Sequence, residues 1–250
     1  MLSTSFKEYG EIFTDPITWI PTKWRFQNYS EVFRVSTYAN FLRGFRNTLL
    51  ISIPTVTISV LVSSLAAFAF AKIDFKGRDQ LFFAFVCTMA IPSVITMIPS
   101  YMLFIELGWG NSWKPLMIPA FFGSFGTAFF TRQFMKTIPK AMEEVAMVDG
   151  MNWWQIFWVV ELPLAKPIVI TNLLMGFIGA YNDYMGPVMY IRSPEKFTLQ
   201  LSLSAMNDTY SNNWGPAMAG ATLALIPTIL IFFFAQRFFI EGITITGIKE

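Results

Sequence analysis

Residues 139–163 read PKAMEEVAMVDGMNWWQIFWVVELP, a charged, helix-forming stretch set between strongly apolar ones. Pro139 suits a first helical turn, where the missing N–H would be unpaired in any case, and 141–149 is rich in strong helix formers. Met142, Val145, Ala146 and Val148 recur at helical spacing and give that helix an apolar side. Gly150 ends it, because the position just past a helix end takes a left-handed backbone that glycine enters without strain. Asn152 followed three residues later by Gln155 is the pattern of a capping box, so a second helix starts there and runs toward Pro163. The stretch is expected to fold as helix, sharp turn, helix.

The sequence around it belongs in a bilayer. Of 250 residues, 54% are hydrophobic and only 14% charged, a balance unlike that of a soluble domain. Apolar runs at 48–71, 80–105, 167–191 (interrupted by Asp183) and 214–236 are each long enough to cross the hydrocarbon core. A shorter run, 115–131, contains Gly123, Ser124 and Gly126, small residues that let a neighbouring helix come close. Five spans are expected. Pro92, Pro99 and Pro187 fall inside them and free backbone carbonyls that neighbours must satisfy.

Composition also excludes functions. With no His and one Cys, Cys87, neither an imidazole or thiolate metal site nor a Ser/His/Asp or Cys/His catalytic set can be built, and no cofactor is expected. No Gly-Lys-Ser/Thr string occurs, so the chain has no loop of its own to cradle ATP phosphates. The net charge of +2 gives no reason to expect a nucleic-acid partner. Charge bias leaves orientation open. With the 139–163 loop inside, the short interspan loops favour that side by seven Lys and Arg to three, but counting all segments makes it nine to nine.

Glu144, then Val145 and Ala146, Gly150, nine residues, Val160, and Leu162-Pro163: this spacing resembles the EAA loop of ABC-importer permeases, with Val145 where alanine is usual and Val160 where isoleucine is usual. The resemblance implies an all-α, polytopic transmembrane permease of the MetI-like, type I importer kind. It divides the chain into an extracytoplasmic segment (1–46), a permease domain (47–240) holding the coupling loop (132–163), and a cytoplasmic tail (241–250). Such permeases commonly have six spans, and MLSTSFK looks like residues that follow the first, so an apolar helix encoded upstream of Met1 is expected. The loop would be the coupling helix, gripped by a separate ATP-hydrolysing subunit through Glu143, Glu144, Val145, Ala146, Asp149, Gly150, Leu162 and Pro163. The implied partners are two such ATP-binding subunits, a second homologous permease and an extracytoplasmic sugar-binding protein.

Three further stretches carry the resemblance. GAYNDYMGPVMY (179–190) is similar to the fifth helix of carbohydrate-importer permeases, and Tyr181, Asn182 and Asp183 would line the substrate path. An ionisable residue in a span is a functional candidate by default, although Asp183 falls near the outer end of its run, where a solvated carboxylate is equally at home. SAMNDTYSNNW (204–214) is dense in turn formers and reads as a wet loop. By resemblance, Met206, Asn207, Asp208, Thr209, Tyr210, Ser211, Asn212 and Asn213 would reach into the binding protein. RFFIEGITITGIKE (237–250) is similar to the tail of sugar permeases, in which Glu241, Gly242, Gly247 and Lys249 would meet the ATPase subunits. The β-branched run 243–246 favours an extended, packed segment. The alternative function is a self-sufficient secondary transporter or channel, but Glu106 and Glu161 sit at span ends and Asp183 off centre, which leaves a proton relay without parts.

Overall fold

The computed structural model describes residues 1–14, 18–34, 40–209 and 214–247, and of residues 207–209 and 234–247 the backbone alone. Helices make up all the regular structure among the described residues. In chain order they are α1 (Leu2–Ser5), α2 (Tyr9–Ile12), α3 (Gln27–Val32), α4 (Phe41–Lys72), α5 (Arg78–Thr88), α6 (Ser93–Glu106), α7 (Lys114–Phe121), α8 (Phe125–Met135), α9 (Ala141–Val148), α10 (Trp153–Ile156), α11 (Leu162–Leu164), α12 (Lys166–Tyr181), α13 (Met185–Tyr190), α14 (Leu199–Thr209) and α15 (Trp214–Gly247). A π-helical stretch, Phe157–Glu161, joins α10 to α11.

The expected count of five spans is not reached among the described residues. Two helices are long and apolar enough to cross a membrane, α4 and the Trp214–Phe233 part of α15. Two bent pairs bring the number to four at most if each is one span: α5 with α6 at 91°, and Trp153–Leu164 with α12 at 78°. The first pair breaks at Pro92, which caps α6 in extended backbone; proline supplies no N–H, and the residue before it avoids helical backbone. The expected fifth span, 115–131, is divided between α7 and α8 around Gly123 at φ +89°. Its small residues do permit a close approach. Ser63 of α4 donates to the Ser124 carbonyl (3.1 Å) and accepts from the Ser124 N–H (2.8 Å), and a Cβ on Gly123 would lie 3.0 Å from the Ser63 hydroxyl. The run 167–191 likewise breaks after Tyr181, between α12 and α13.

The chain packs as two units. The first comprises Met1–Ser52, Trp109–Trp113 and Ile178–Phe233. Here the N-terminal segment is tied down. Asn28, fully buried, donates to the carbonyls of Ser5 (2.8 Å) and Lys7 (3.1 Å), and the Phe6 ring meets Trp24, Phe26 and Tyr29. Asn47 of α4 donates to the carbonyls of Glu195 and Phe197, both at 2.9 Å, and Thr48 accepts from the Leu199 N–H at 2.8 Å. The 109–113 turn is clamped by Asn111, whose side-chain oxygen accepts the N–H groups of Arg192 and Ser193.

The second unit comprises Ile53–Gly108, Lys114–Phe177 and Phe234–Glu250, and contains the helix–turn–helix stretch. Arg132, counted from the sequence as a loop cation, is buried there: it donates to the Phe70 carbonyl at 3.1 Å and lies 3.7 Å above the Phe82 ring. That cation–π contact and hydrogen bond compensate the loss of water around the guanidinium.

Candidate functional site

The elbow at 139–163 takes the local form its sequence dictates. Helix α9 runs over Ala141–Val148, with Pro139 one residue ahead of the Lys140 cap rather than inside the first turn. Gly150 has φ +82°, and its N–H bonds the Met147 carbonyl while that of Met151 reaches Ala146. Asn152 and Gln155 form a reciprocal capping box, each side chain accepting the other's N–H at 2.9 Å. The second arm is irregular. Pro163 and Pro167 each remove a donor from the helical ladder, and the chain responds with the π stretch Phe157–Glu161 and the bend before α12.

The apolar side anticipated for α9 turns outward. Met142, Val145 and Val148 are exposed, Val148 to 87%, while Glu143 and Ala146 are buried. Glu144, Asp149 and Gly150 are exposed beside the apolar stripe, and on the second arm Leu162 is half-buried and Pro163 exposed. The eight elbow residues expected to grip a partner thus divide between an outer face and an inner anchor.

The anchor is a charge cluster that the sequence reading missed. Lys72, the last residue of α4, pairs with Glu143 of α9 and with Glu161 at the end of the π stretch (3.2 Å), and donates to the Ile138 carbonyl (2.9 Å). All three side chains are buried, Glu161 completely. Glu161 lies in the first arm of the bent Trp153–Leu164 and α12 pair, beside the Lys72 ammonium that also pairs with Glu143. Below the cluster, Phe68 of α4 packs on Phe157, with ring centroids 5.4 Å apart. Two signals in the sequence mark these residues: Glu161 is the sole charge in 151–165, and Lys72 closes a charge-free run that begins at Asn47.

A model of the family described as "Binding-protein-dependent transport system inner membrane component" matches residues 59–245, the greater part of the chain and the whole elbow. The chain belongs to that family. This permease is 31% identical over its full length to the arabinooligosaccharides transport system permease protein AraQ of Halalkalibacterium halodurans, covering 89% of that relative. It is 31% identical to the diacetylchitobiose uptake system permease protein DasC of Streptomyces coelicolor, again over the full chain and 90% of the relative. Its fold matches a chain in the crystal structure of a bacterial ABC transporter involved in the import of the acidic polysaccharide alginate, with TM-score 0.80, 24% identity, and coverage of 95% of this chain and 88% of that one. The permease is an inner-membrane component with a helical, MetI-like fold.

Of the remaining expected site residues, Tyr181, Asn182, Asp183 and Met206 belong to the first unit and the tail from Glu241 onward to the second. Tyr181 is buried and its hydroxyl donates to the Ala224 carbonyl at 2.9 Å, so its ring is held in the packing. Asn182 and Asp183 are exposed at the break between α12 and α13. Asn182 donates to the Ile178 carbonyl and accepts from Gln200 at 3.2 Å, and Asp183 accepts the Gly186 N–H at 3.1 Å, which seats the start of α13. The expected wet loop at 204–214 is helical as far as Thr209, as the end of α14, and Met206 is 1% exposed, a core residue and not a surface contact. Tyr210, Ser211, Asn212 and Asn213 lie outside the described residues. In the tail, the backbone of Glu241, Gly242 and Gly247 continues α15, so the 243–246 run is helical where an extended segment was expected; Lys249 lies outside the described residues. Cooperative propagation of a long helix outweighs the weak strand preference of Ile and Thr.

Proposed function

We propose that this permease is one of two subunits forming the translocation path of an ATP-driven importer for a sugar or oligosaccharide, and that its elbow is the surface through which a separate ATP-hydrolysing subunit drives it. One observation carries the reading: the elbow exposes an apolar stripe, Met142, Val145 and Val148, flanked by Glu144 and Asp149, while its other side is fastened to α4 by buried ion pairs and aromatic packing. An exposed apolar strip with a charged rim, on a rigid support, has the anatomy of an interface. Substrate class comes from the company the chain keeps, since the relatives named above are permeases for arabinooligosaccharides and diacetylchitobiose, and a similar fold serves alginate import.

In this reading, closure of two ATPase subunits on nucleotide displaces the elbow, and the anchor passes the displacement to α4 and α12, turning the cavity outward. ATP must then bind the outward state more tightly than the inward one, because a ligand shifts an equilibrium only by its differential affinity. The exposed amide and carboxylate of Asn182 and Asp183 are suited to sugar hydroxyls. The 207–213 stretch would meet the extracytoplasmic binding protein, a second homologous permease would complete the path, and the 241–250 tail would add to the ATPase contact. The test is crosslinking: Val148→Cys, treated with a thiol-reactive crosslinker in membrane vesicles that take up solute, is expected to trap a nucleotide-hydrolysing protein. Vesicles that transport normally yet yield no such adduct from Val148, Val145 or Met142 replaced in turn by cysteine would defeat the reading.

A further inference from the structure

Among the described residues, the charges under the elbow do not cancel. Lys72 brings one ammonium, while Glu143 and Glu161 bring two carboxyl groups, all buried. Lys72 donates to Glu143 and to the Ile138 carbonyl, and among the described residues neither Glu161 oxygen accepts a hydrogen bond, although the ammonium lies 3.2 Å away. Among the described residues, the charged groups acting on Glu161 are Lys72 from α4 and Glu143 from α9. A second full negative charge in that place, sharing one ammonium with Glu143 and accepting no hydrogen bond among the described residues, costs more than holding a proton.

We propose that Glu161 stays protonated at neutral pH, and that Lys72 as a cation, Glu143 as an anion and Glu161 as a neutral acid form a chargeless set that positions α9 on the end of α4. Glu161 is then a positioning residue, acting on the docking face through its two neighbours, and the proposal rests on the elbow reading given above. A carboxyl whose proton is held by the fold favours that fold at low and neutral pH and stops doing so as the pH rises and the proton leaves for solvent. An unbalanced buried anion then loosens α9 from α4, so uptake by the intact transporter falls on the alkaline side.

Two readouts test this on the complete transporter in membrane vesicles. In infrared difference spectra at neutral pH, wild type minus Glu161→Gln, a protonated-carboxyl band is expected, present in wild type and lost in the variant. In uptake measured against pH, wild type is expected to drop by about tenfold or more along an alkaline limb that Glu161→Gln, with no proton to lose, flattens. An ionised-carboxylate difference band in its place, or an alkaline limb unchanged in Glu161→Gln, overturns the proposal. So does failure of Glu161→Gln to assemble, because glutamine matches the shape and neutrality of the protonated acid. The infrared band reports the cluster alone. A band without a Val148→Cys adduct sinks the elbow reading, and an adduct without the band sinks the proton.

Discussion

Replacing Gly150 isolates one physical quantity, the cost of left-handed backbone at the turn of the elbow. The residue has φ +82°, and a Cβ built on it would meet nothing within 4 Å, so substitution introduces no clash. What remains is the backbone term, about 1–2 kcal/mol for an ordinary L-residue in this region. Asparagine enters it several-fold more readily than other side chains, and a β-branched residue less readily than alanine. If uptake requires the closed turn and the open turn is its competitor, each ~1.4 kcal/mol is a factor of ten in their ratio. Gly150→Ala is therefore expected to lower ATP-driven uptake by about 5- to 30-fold, with Gly150→Asn recovering most of the loss and Gly150→Val below both. The assay is initial uptake in vesicles, normalised to the amount of permease in the membrane, which the substitutions are expected to leave unchanged because the turn is exposed. Equal uptake for Gly, Asn and Ala at this position would refute the reasoning, and so would a loss for Asn as deep as that for Val.

Two other substitutions probe the supports of each unit. Asn152→Ala removes the side-chain acceptor of the Gln155 N–H, leaving the Asn152 N–H on Gln155, and is expected to cost about 1 kcal/mol, seen as roughly fivefold faster amide exchange at the start of the second arm, while Asn152→Asp keeps the cap and the protection. Gly215→Ala would place a Cβ 2.5 Å from the Asn28 amide nitrogen, forcing that buried side chain off the Ser5 and Lys7 carbonyls. A loss of about 2–4 kcal/mol is expected, read as protease sensitivity of the N-terminal segment, and Asn28→Ala in the same chain should recover part of it; resistance equal to wild type would show that the contact can yield.

How far the sequence reveals this molecule depends on the range of the forces involved. The elbow is legible because its determinants are local: Gly150, Asn152 and Gln155 each act within a few residues, and their backbone geometry follows from their own chemistry. Proline breaks were half legible. Pro92, Pro99, Pro54 and Pro227 all remove one donor, yet only Pro92 stands at a 91° bend, while the other three lie within helices. Whether a freed carbonyl is tolerated depends on neighbours that a single sequence does not supply. Ser204–Thr209 failed for the opposite reason. Asn, Asp, Ser and Thr favour turns, but Met206 is pulled into the core and the helix is extended to bury it.

The least legible feature is the orientation of α9, on which the proposed function rests. Helical spacing divides α9 into an apolar side and a charged side, and for a helix lying on its own core the apolar side goes in. Here the choice is inverted. Glu143 goes in because Lys72, 71 residues earlier in the chain, waits at the end of α4, and the buried pair with Glu161 fixes which face is left over. Met142, Val145 and Val148 are exposed as the consequence, an arrangement that the chain alone would not favour, since burying apolar side chains is worth about 25 cal/mol per Å². Under the proposed function, the energy forgone at this surface is recovered when the ATP-hydrolysing subunit covers it. The inward-facing glutamate and the outward-facing valines are thus two aspects of one arrangement: a long-range ion pair orients the helix, and the orientation leaves the apolar stripe exposed.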